Sequence, residues 1–425
     1  MAKFSKILVA NRSEIAVRVI KSIKNKGLQS VAIFAEGDEN SNHVNLADEA
    51  LCVGPSEVSE SYLNIKNILN AAKSTGADAI HPGYGFLSEN DNFSRECEAA
   101  GICFIGPSPE IIKLMGNKAE AKRKMIEIGV PCIPGYHNQE QLDKPLIEAA
   151  KEIGFPIMIK AAAGGGGRGM RLIDNPKDME SALSSARSEA LRSFGSDELI
   201  LEKALEKPLH IEVQVFGDKH GNYLHMGERD CSIQRRHQKV IEESPGPSIP
   251  MGLQEVMGST SVEIIRSIEY VGAGTIEYLV DGEKFYFLEM NTRIQVEHAV
   301  TEMVTGLDLV SMQIDVAEGK PLAITQDEII LNGHAIEARL YAENPNNDFL
   351  PSPGKVYYWK PHESNGIRID HSISSSQEIS RFYDPMIAKV IAWGSNREAS
   401  RKRLINALNK SIFFGTNNNK HFLTS

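Results

Sequence analysis

Between residues 6 and 110 short apolar runs alternate with amphipathic helical repeats, and this alternation limits the possible folds more than any other feature. "KILVA", "SVAIFA", "ADAIHPGYG" and "ICFIG" contain buried strands; "SEIAVRVIKSIKNKG", "YLNIKNILNAAKSTG" and "NFSRECEAAG" lie between them as helices. Strands separated by helices pair in parallel, so a doubly wound parallel sheet is expected here. The first strand-to-helix turn, "ANRSE", has no glycine. A dinucleotide fingerprint belongs at that turn, which disfavours NAD or FAD. The pattern then changes. Residues 111–130 read as a helical linker rich in Lys and Glu. Residues 131–204 read as a small α+β unit. Residues 205–425 open with two hairpins, "HIEVQVFGDKHGNYLHMGERDCS" and "GAGTIEYLVDGEKFYFLEMNTRIQ". The fold class is α/β and α+β.

The 425 residues suffice for two or three domains, and a formal charge of -10 argues against broad nucleic-acid or anionic-membrane binding. Five cysteines without C-x-x-C suit a reducing compartment. The N-terminal apolar run is too short for a signal peptide, and no long apolar span follows it. A cytoplasmic protein is expected. The chain stops in "FFGTNNNKHFLTS", which reads as the end of a fragment.

"FPIMIKAAAGGGGRGMRLID" asks what approaches a run of four glycines, because glycine is entropically costly to order. Gly164, Gly166 and Gly169 formally match G-x-G-x-x-G. The segment that follows alternates like a strand, however, so the run sits at a hairpin tip. Such a flap, with Lys160 on its entering strand and Arg168 within it, suits a phosphate chain.

"FYFLEMNTRIQVEH" carries most of the chemistry. Strand alternation places Phe285, Phe287, Glu289, Asn291 and Arg293 on one face and Tyr286, Leu288 and Met290 on the other. Glu277, in "GAGTIEYLVD", lies on the neighbouring strand. Two carboxylates at ~4 Å repel by about 4 kcal/mol at an effective dielectric of 20, and a hard cation with oxygen ligands removes that repulsion. Register decides whether they meet. A two-residue Asp-Gly turn in "VDGEK" would pair Val280 with Glu283 and put Glu277 on the face opposite Glu289. The metal reading requires a bulged loop pairing Val280 with Lys284, and that loop is expected. "ERDCSIQRRHQKVIEESP" gathers Arg229, Arg235, Arg236, His237 and Lys239, a cluster suited to a small anion.

"ANRSEIAVRVI", "IHPGYGFLSEN", "MGNKAEAK", "IKAAAGGGGRGM", "ERDCSIQRRHQKVIEESP", "GAGTIEYL", "FLEMNTRIQVEHAVTEMVTGLDLV" and "FLPSPGKV" occur in the order found in biotin carboxylases and span nearly the whole chain. The chain resembles that family. The resemblance implies a Rossmann-like N-terminal domain over 1–110, the linker over 111–130, an ATP-grasp lid over 131–204, and a C-terminal ATP-grasp and carboxylase region over 205–425. It implies that the glycine flap, with Gly165 and Gly166, folds over ATP phosphates. Lys118, Lys160 and His210 resemble phosphate and ribose contacts. Glu202, Lys203 and Leu205 resemble the adenine pocket, where main-chain groups read the base. Gln234 and His237 resemble further nucleotide contacts. Glu277, Glu289 and Asn291 match ligands of Mg²⁺ or Mn²⁺. Lys239, Arg293, Gln295, Val296 and Glu297 resemble a bicarbonate pocket with Glu297 as general base. Arg339 resembles the residue that stabilises the biotin enolate, and Tyr84 lies in the motif that approaches biotin.

The implied reaction uses ATP, bicarbonate and a divalent ion to carboxylate biotin carried on a separate protein or domain. Its partners would be a biotin carboxyl carrier, a carboxyltransferase subunit and a second copy of the chain. Ser13 stands where the family commonly has Gly. No biotin-attachment segment is present, so the chain reads either as a carboxylase component or as the front part of an acyl-CoA carboxylase subunit. Another ATP-grasp ligase, carbamoyl-phosphate synthetase-like or purine-pathway, fits "RRHQKV" and "NTRIQVEH" less well. A silent scaffold is disfavoured because every motif residue has the expected chemical type.

Overall fold

A computed structural model of the protein describes residues 3–164 and 169–425. Its first part contains β1 (Lys6–Val9), α1 (Ser13–Asn25), β2 (Gln29–Phe34), β3 (Glu49–Cys52), α2 (Ile65–Thr75), β4 (Ala79–His81), α3 (Asp91–Ala99) and β5 (Cys103–Phe104). The strands form one parallel sheet in the order β3-β2-β1-β4-β5. Central β1 is covered on both faces, which is why it reads as a continuous apolar run. The sequence reading missed β3. It is a partly exposed edge strand, "EALC", without the apolar signal of its neighbours. Asn64 and Asn90 cap α2 and α3 by accepting from the backbone N–H groups of Asn67 and Phe93. Ser13 begins α1 at φ 61°, in the left-handed region that favours glycine, and its Oγ lies 3.1 Å from the Ser372 hydroxyl.

The expected linker is two helices, α4 (Pro109–Gly116) and α5 (Lys118–Glu127), broken at Asn117. Asn117 ends the first and caps the second, accepting from the N–H groups of Ala119 and Glu120. Next come β6 (Gly135–Tyr136), α6 (Asp143–Ile153), β7 (Ile157–Ala161), β8 (Met170–Ile173), α7 (Met179–Phe194) and β9 (Leu199–Lys203). They make a four-stranded antiparallel sheet, β6-β9-β7-β8, with its own core around Leu146, Ile157, Ile159, Leu183 and Leu201. Lys160 pairs with Met170, so the glycine run joins two strands of a hairpin, as its flanks imply. Gly165, Gly166 and Arg168 lie outside the described residues.

Beyond three small two-stranded sheets, the main elements of the rest of the chain are one eight-stranded antiparallel sheet and the helices packed on it. They are β10 (Leu209–Gly217), β11 (Tyr223–Arg235), β12 (Gln238–Ser244), α8 (Leu253–Ser267), β13 (Gly272–Asp281), β14 (Lys284–Asn291), α9 (His298–Thr305), α10 (Leu309–Ala317), β15 (His334–Tyr341), β16 (Ile367–His371), β17 (Met386–Gly394) and α11 (Arg397–Lys410). The strand order is β14-β13-β10-β11-β12-β15-β17-β16.

The expected register of the β13–β14 hairpin is corrected. Asp281 pairs with Lys284 across a two-residue Gly282-Glu283 turn, so Val280 faces Phe285 rather than Lys284 or Glu283. The bulge lies inside the strand instead. Tyr278 pairs with Phe287 but Glu277 pairs with Glu289, leaving Leu288 as the extra residue. This corrects the face assignment as well. Phe285, Phe287 and Met290 all enter the core with Ile276 and Tyr278, while Glu289 and Asn291 belong to the other side. The bulge thus performs the inversion that the loop was expected to supply.

Candidate active site

Strand alternation sorts β10 cleanly. Ile211, Val213 and Val215 enter the core, so His210, Glu212 and Gln214 face the other way. Register then lines up a charged row across four strands: Glu289 opposite Glu277, Glu277 opposite Glu212, and Glu212 opposite Arg229. Three neighbouring carboxylates need cations, and each has one. Lys118 reaches Glu289 from the start of α5. Arg229, wholly buried, holds Glu212 at 2.5 Å. Lys239 places its ammonium 2.6 Å from Glu212, 3.0 Å from Glu277 and 2.7 Å from Glu297.

The loop after β14 folds back over this row. Gln295 donates to Glu277 at 2.7 Å and accepts from Arg229 at 2.9 Å. Asn291 donates to Glu277 at 2.8 Å, and its carbonyl accepts from Arg293 at 2.8 Å. Arg293 also binds Glu89 at 2.8 Å. Arg339, on β15, bonds Glu242 at 2.6 Å and Glu297 at 3.1 Å. Burial alone would raise the Glu297 carboxyl, but Lys239, Arg339 and Arg229 outweigh it and hold the group well below the ordinary carboxylate range. Glu277 is held down in the same way by Lys239 and His210. Lys239 in turn is pushed well up by Glu212, Glu277 and Glu297 against its own burial. Glu242, desolvated by burial and repelled by Glu297, rises to about 7 despite Arg339.

A second group of cations lies beside the four-stranded sheet. Lys160 donates to Glu202 at 2.5 Å, and Lys122 pairs with the other oxygen of the same carboxylate. Burial and Lys118 push the Lys160 ammonium down to about 8. Lys203 turns away, donating to the carbonyls of Gly154 and Phe155 at 2.9 and 2.8 Å, and Leu205 is half-buried. His210 contacts Glu277 at 2.7 Å through Nε2, and Gln234 lies 3.2 Å from its Nδ1.

The basic run is not the single patch that was expected. Arg229 is internal, Arg235 pairs with Glu343, and Arg236 pairs with Asp348 on the surface. His237 lies exposed at the β11–β12 tip, where it and Arg236 both adopt positive φ. An antiparallel hairpin sends alternate cations to opposite faces, so proximity in sequence does not make a patch.

Glu212, Glu242 and Glu89 were missed as site residues, whereas Arg229, read as part of the anion cluster, is held inside the carboxylate row. The first two had a legible signal, since each is a carboxylate directly after an apolar strand residue. "HIEVQVFG" and "VIEESP" place them at alternating positions. Glu89 had none, because it reaches Arg293 across 204 residues of sequence.

The residues expected to ligate a metal fit one. Glu277 and Glu289 are directly opposed, and Asn291 follows two residues later, giving carboxylate and amide oxygens as hard cations require. Two other groupings also converge, His210 with Glu212 and Glu277, and Glu212 with Cys231 and Glu297. In both, the Lys239 ammonium sits against the carboxylates, just as Lys239 and Lys118 sit against Glu277 and Glu289. Among the described residues, no helix is long and apolar enough to cross a membrane.

Three family models match the chain: Biotin carboxylase, N-terminal domain, over residues 3–112; Carbamoyl-phosphate synthase L chain, ATP binding domain, over 117–325; and Biotin carboxylase C-terminal domain, over 337–425. A biotin carboxylase from Nostoc sp. is 49% identical over 414 residues, covering 97% of this chain and 93% of the relative. The mitochondrial methylcrotonoyl-CoA carboxylase subunit alpha of Dictyostelium discoideum is 48% identical over 421 residues, covering 99% of this chain. The chain spans only 60% of that longer relative. Among solved structures, the biotin carboxylase of Campylobacter jejuni in a β,γ-ATP complex superposes with TM-score 0.97 at 45% identity, covering 99% of this chain and 94% of that one. The biotin carboxylase domain dimer of Hydrogenobacter thermophilus 2-oxoglutarate carboxylase, crystallised with MgADP, ADP and bicarbonate, gives 0.96 at 45% identity, covering 100% and 94%. The chain belongs to the biotin carboxylase family.

Proposed function

We propose that the chain carboxylates biotin with bicarbonate at the expense of ATP, by way of carboxyphosphate, as the first half-reaction of a biotin-dependent carboxylase. The observation that carries this reading is the Lys239 ammonium shared by Glu212, Glu277 and Glu297, with Arg339 on the far side of Glu297. An anion entering beside Lys239 and Arg293 takes up part of their positive field. Glu297 then becomes a stronger base at the moment it is needed, and removes the bicarbonate proton. The resulting dianion attacks the terminal phosphorus of ATP and ADP leaves; the carboxyphosphate so formed breaks at its C–O bond into CO₂ and phosphate beside biotin, and the ureido nitrogen, once deprotonated by that phosphate, attacks the CO₂. Lys118 and Lys160, with the backbone N–H groups of the glycine flap, offset charge on the phosphates. His210, Gln234 and His237 make further nucleotide contacts, and main-chain groups at Glu202, Lys203 and Leu205 read the base. A divalent ion held by Glu277, Glu289 and Asn291, when bound, neutralises phosphate oxygens. Gln295 and the backbone at Val296 orient bicarbonate. Arg339 offsets charge on the ureido oxygen as biotin loses its proton to phosphate, and Tyr84 lines the approach of biotin. Residues 131–204 act as the lid, hinged on 111–130 between the 1–110 and 205–425 domains, and closure keeps water from the intermediate.

The carrier is a biotinylated protein or domain, and the product passes to a carboxyltransferase in the cytoplasm. The superposed Hydrogenobacter domain is a dimer, which supports pairing of this chain. The test is ATP hydrolysis that requires bicarbonate and is stimulated by free biotin, with labelled bicarbonate recovered as carboxybiotin. Hydrolysis indifferent to biotin would overturn the reading in favour of another ATP-grasp ligase.

A further inference from the structure

One buried ammonium touches both halves of the centre proposed above. Lys389 lies in the middle of β17 and has no exposure. Its cross-strand neighbours are Arg339 on β15 and Asp370 on β16. A lysine carried inside a sheet is tolerated only where partners compensate its desolvation, and a methionine would fill the same volume without that burden. The partners of Lys389 are therefore informative. Its Nζ donates to the Val296 carbonyl at 2.8 Å and lies 3.3 Å from Glu14 and 3.6 Å from Asp370. Arg368 already grips Asp370 through two nitrogens at 2.9 and 2.7 Å. Glu14 has no other ion pair among the described residues. One of its oxygens accepts from the Tyr84 hydroxyl, and the other, without a hydrogen bond, faces Lys389.

The Val296 carbonyl and the Glu297 nitrogen belong to one rigid peptide plane. Fixing that oxygen fixes where the Glu297 Cα starts, at the position capping α9. Through Glu14 the same ammonium fixes the Tyr84 phenol, although these residues lie far apart in the chain.

We infer that Lys389 and Glu14 form a positioning pair that holds the Glu297 peptide and the Tyr84 phenol in a set relation, so that activation of bicarbonate stays coupled to capture of the carboxyl group by biotin. The inference rests on the roles proposed above for Glu297 and Tyr84.

The experiment compares full-length wild type with Glu14→Gln, Tyr84→Phe, Lys389→Met and the double variant Glu14→Gln/Lys389→Met. Carboxybiotin formed per ADP is measured with free biotin and labelled bicarbonate, beside KM values for ATP and biotin. The expected result is a fall in carboxybiotin per ADP of about tenfold, with KM for ATP within about twofold of wild type, as for misplacement of one reacting partner. KM for biotin rises, and the double variant is no worse than the worse single one. If Lys389→Met does not fold, Glu14→Gln and Tyr84→Phe, which preserve buried volume, decide the matter. An unchanged ratio in both, or hydrolysis and carboxylation falling together, overturns the inference while leaving the proposed function standing. A wild type without biotin stimulation overturns the function itself, and the inference with it.

Discussion

Glu297 and Lys239 share one hydrogen bond but should respond to replacement unequally. Lys239→Met leaves three buried carboxylates short of a cation, and such a loss typically destabilises by about 3–5 kcal/mol. Glu297→Gln removes one acid from an acid-rich cluster and keeps its shape. Its melting temperature is therefore expected to fall less than that of Lys239→Met, while bicarbonate-dependent turnover falls by about 10²–10⁴-fold, the usual weight of a general base. Equal melting losses in the two variants would contradict the charge balance drawn here. His81 offers a pH test. Its Nδ1 accepts from the Gly83 N–H at 3.0 Å and its Nε2 faces the Gln313 carbonyl oxygen at 3.2 Å, so one neutral tautomer satisfies both partners. Burial pushes its pKa down to about 4. The unfolded chain then binds a proton that the folded chain refuses, so His81's contribution to stability is whole above about 6.5 and is lost as pH falls through about 4. Buried Glu14, raised to about 7, slopes the other way, so the readout is the difference between wild type and His81→Gln. Wild type should lose up to about 3 kcal/mol relative to the variant between pH 6.5 and 4 in denaturant titrations. A flat difference would mean that His81 titrates normally. The sequence disclosed Glu277, Glu289, Asn291, Arg293, Glu297 and Arg339 by motif. It did not disclose which cation serves which acid, because Lys239 meets Glu297 across 58 residues and Arg339 meets Glu242 across 97.

Elements were legible where periodicity was intact. β1, β2, β4 and their helices follow from apolar spacing, since a parallel sheet buries both faces of its inner strands. The bulge at Leu288 was not legible. An extra residue in a strand leaves no mark on composition, and here it reverses which residues share a face, so strict alternation assigned Phe285 and Glu289 to one side. The start of α1 shows the converse. The resemblance flags Ser13 as unusual, and the structure holds it at φ 61°. Ser13→Gly relieves the left-handed strain but loses the contact with Ser372, whereas Ser13→Ala loses the contact and keeps the strain. The glycine variant should therefore be more stable than the alanine variant by about 1 kcal/mol in urea unfolding. The reverse order would show that the position carries no strain.

At the scale of the molecule, the N-terminal parallel sheet closes a core within residues 8–112 on one face only, and on the other it depends on the rest of the chain. Ile7, Ile15, Val19 and Ile23 share one cluster with Phe216, Ile294, Leu309 and Ile314 from far later in the chain. Ion pairs reinforce the junction. Glu302, on α9, accepts from Arg18 of α1 at 2.7 Å and from Arg368 of β16 at 2.6 Å, and caps the turn before α10 by accepting from the Leu309 N–H at 2.8 Å. One carboxylate thus joins the parallel sheet's first helix, the far end of the large sheet and the helix between them. Glu302→Gln keeps the volume but can offer an acceptor to only one of the two guanidiniums, and its amide N–H groups confront the other. Arg18 retains Asp308 and Arg368 retains Asp370, which limits the damage. A loss of about 3 kcal/mol is expected in chemical denaturation, at the lower end for breaking a buried pair. Because the carboxylate is only 5% exposed, raising the salt concentration should not erase the difference between wild type and variant. KM for ATP should be unchanged, since none of these residues belongs to the proposed nucleotide site. A loss below about 0.5 kcal/mol, or one that vanishes in salt, would place the cohesion of the two sheets in the shared apolar cluster alone.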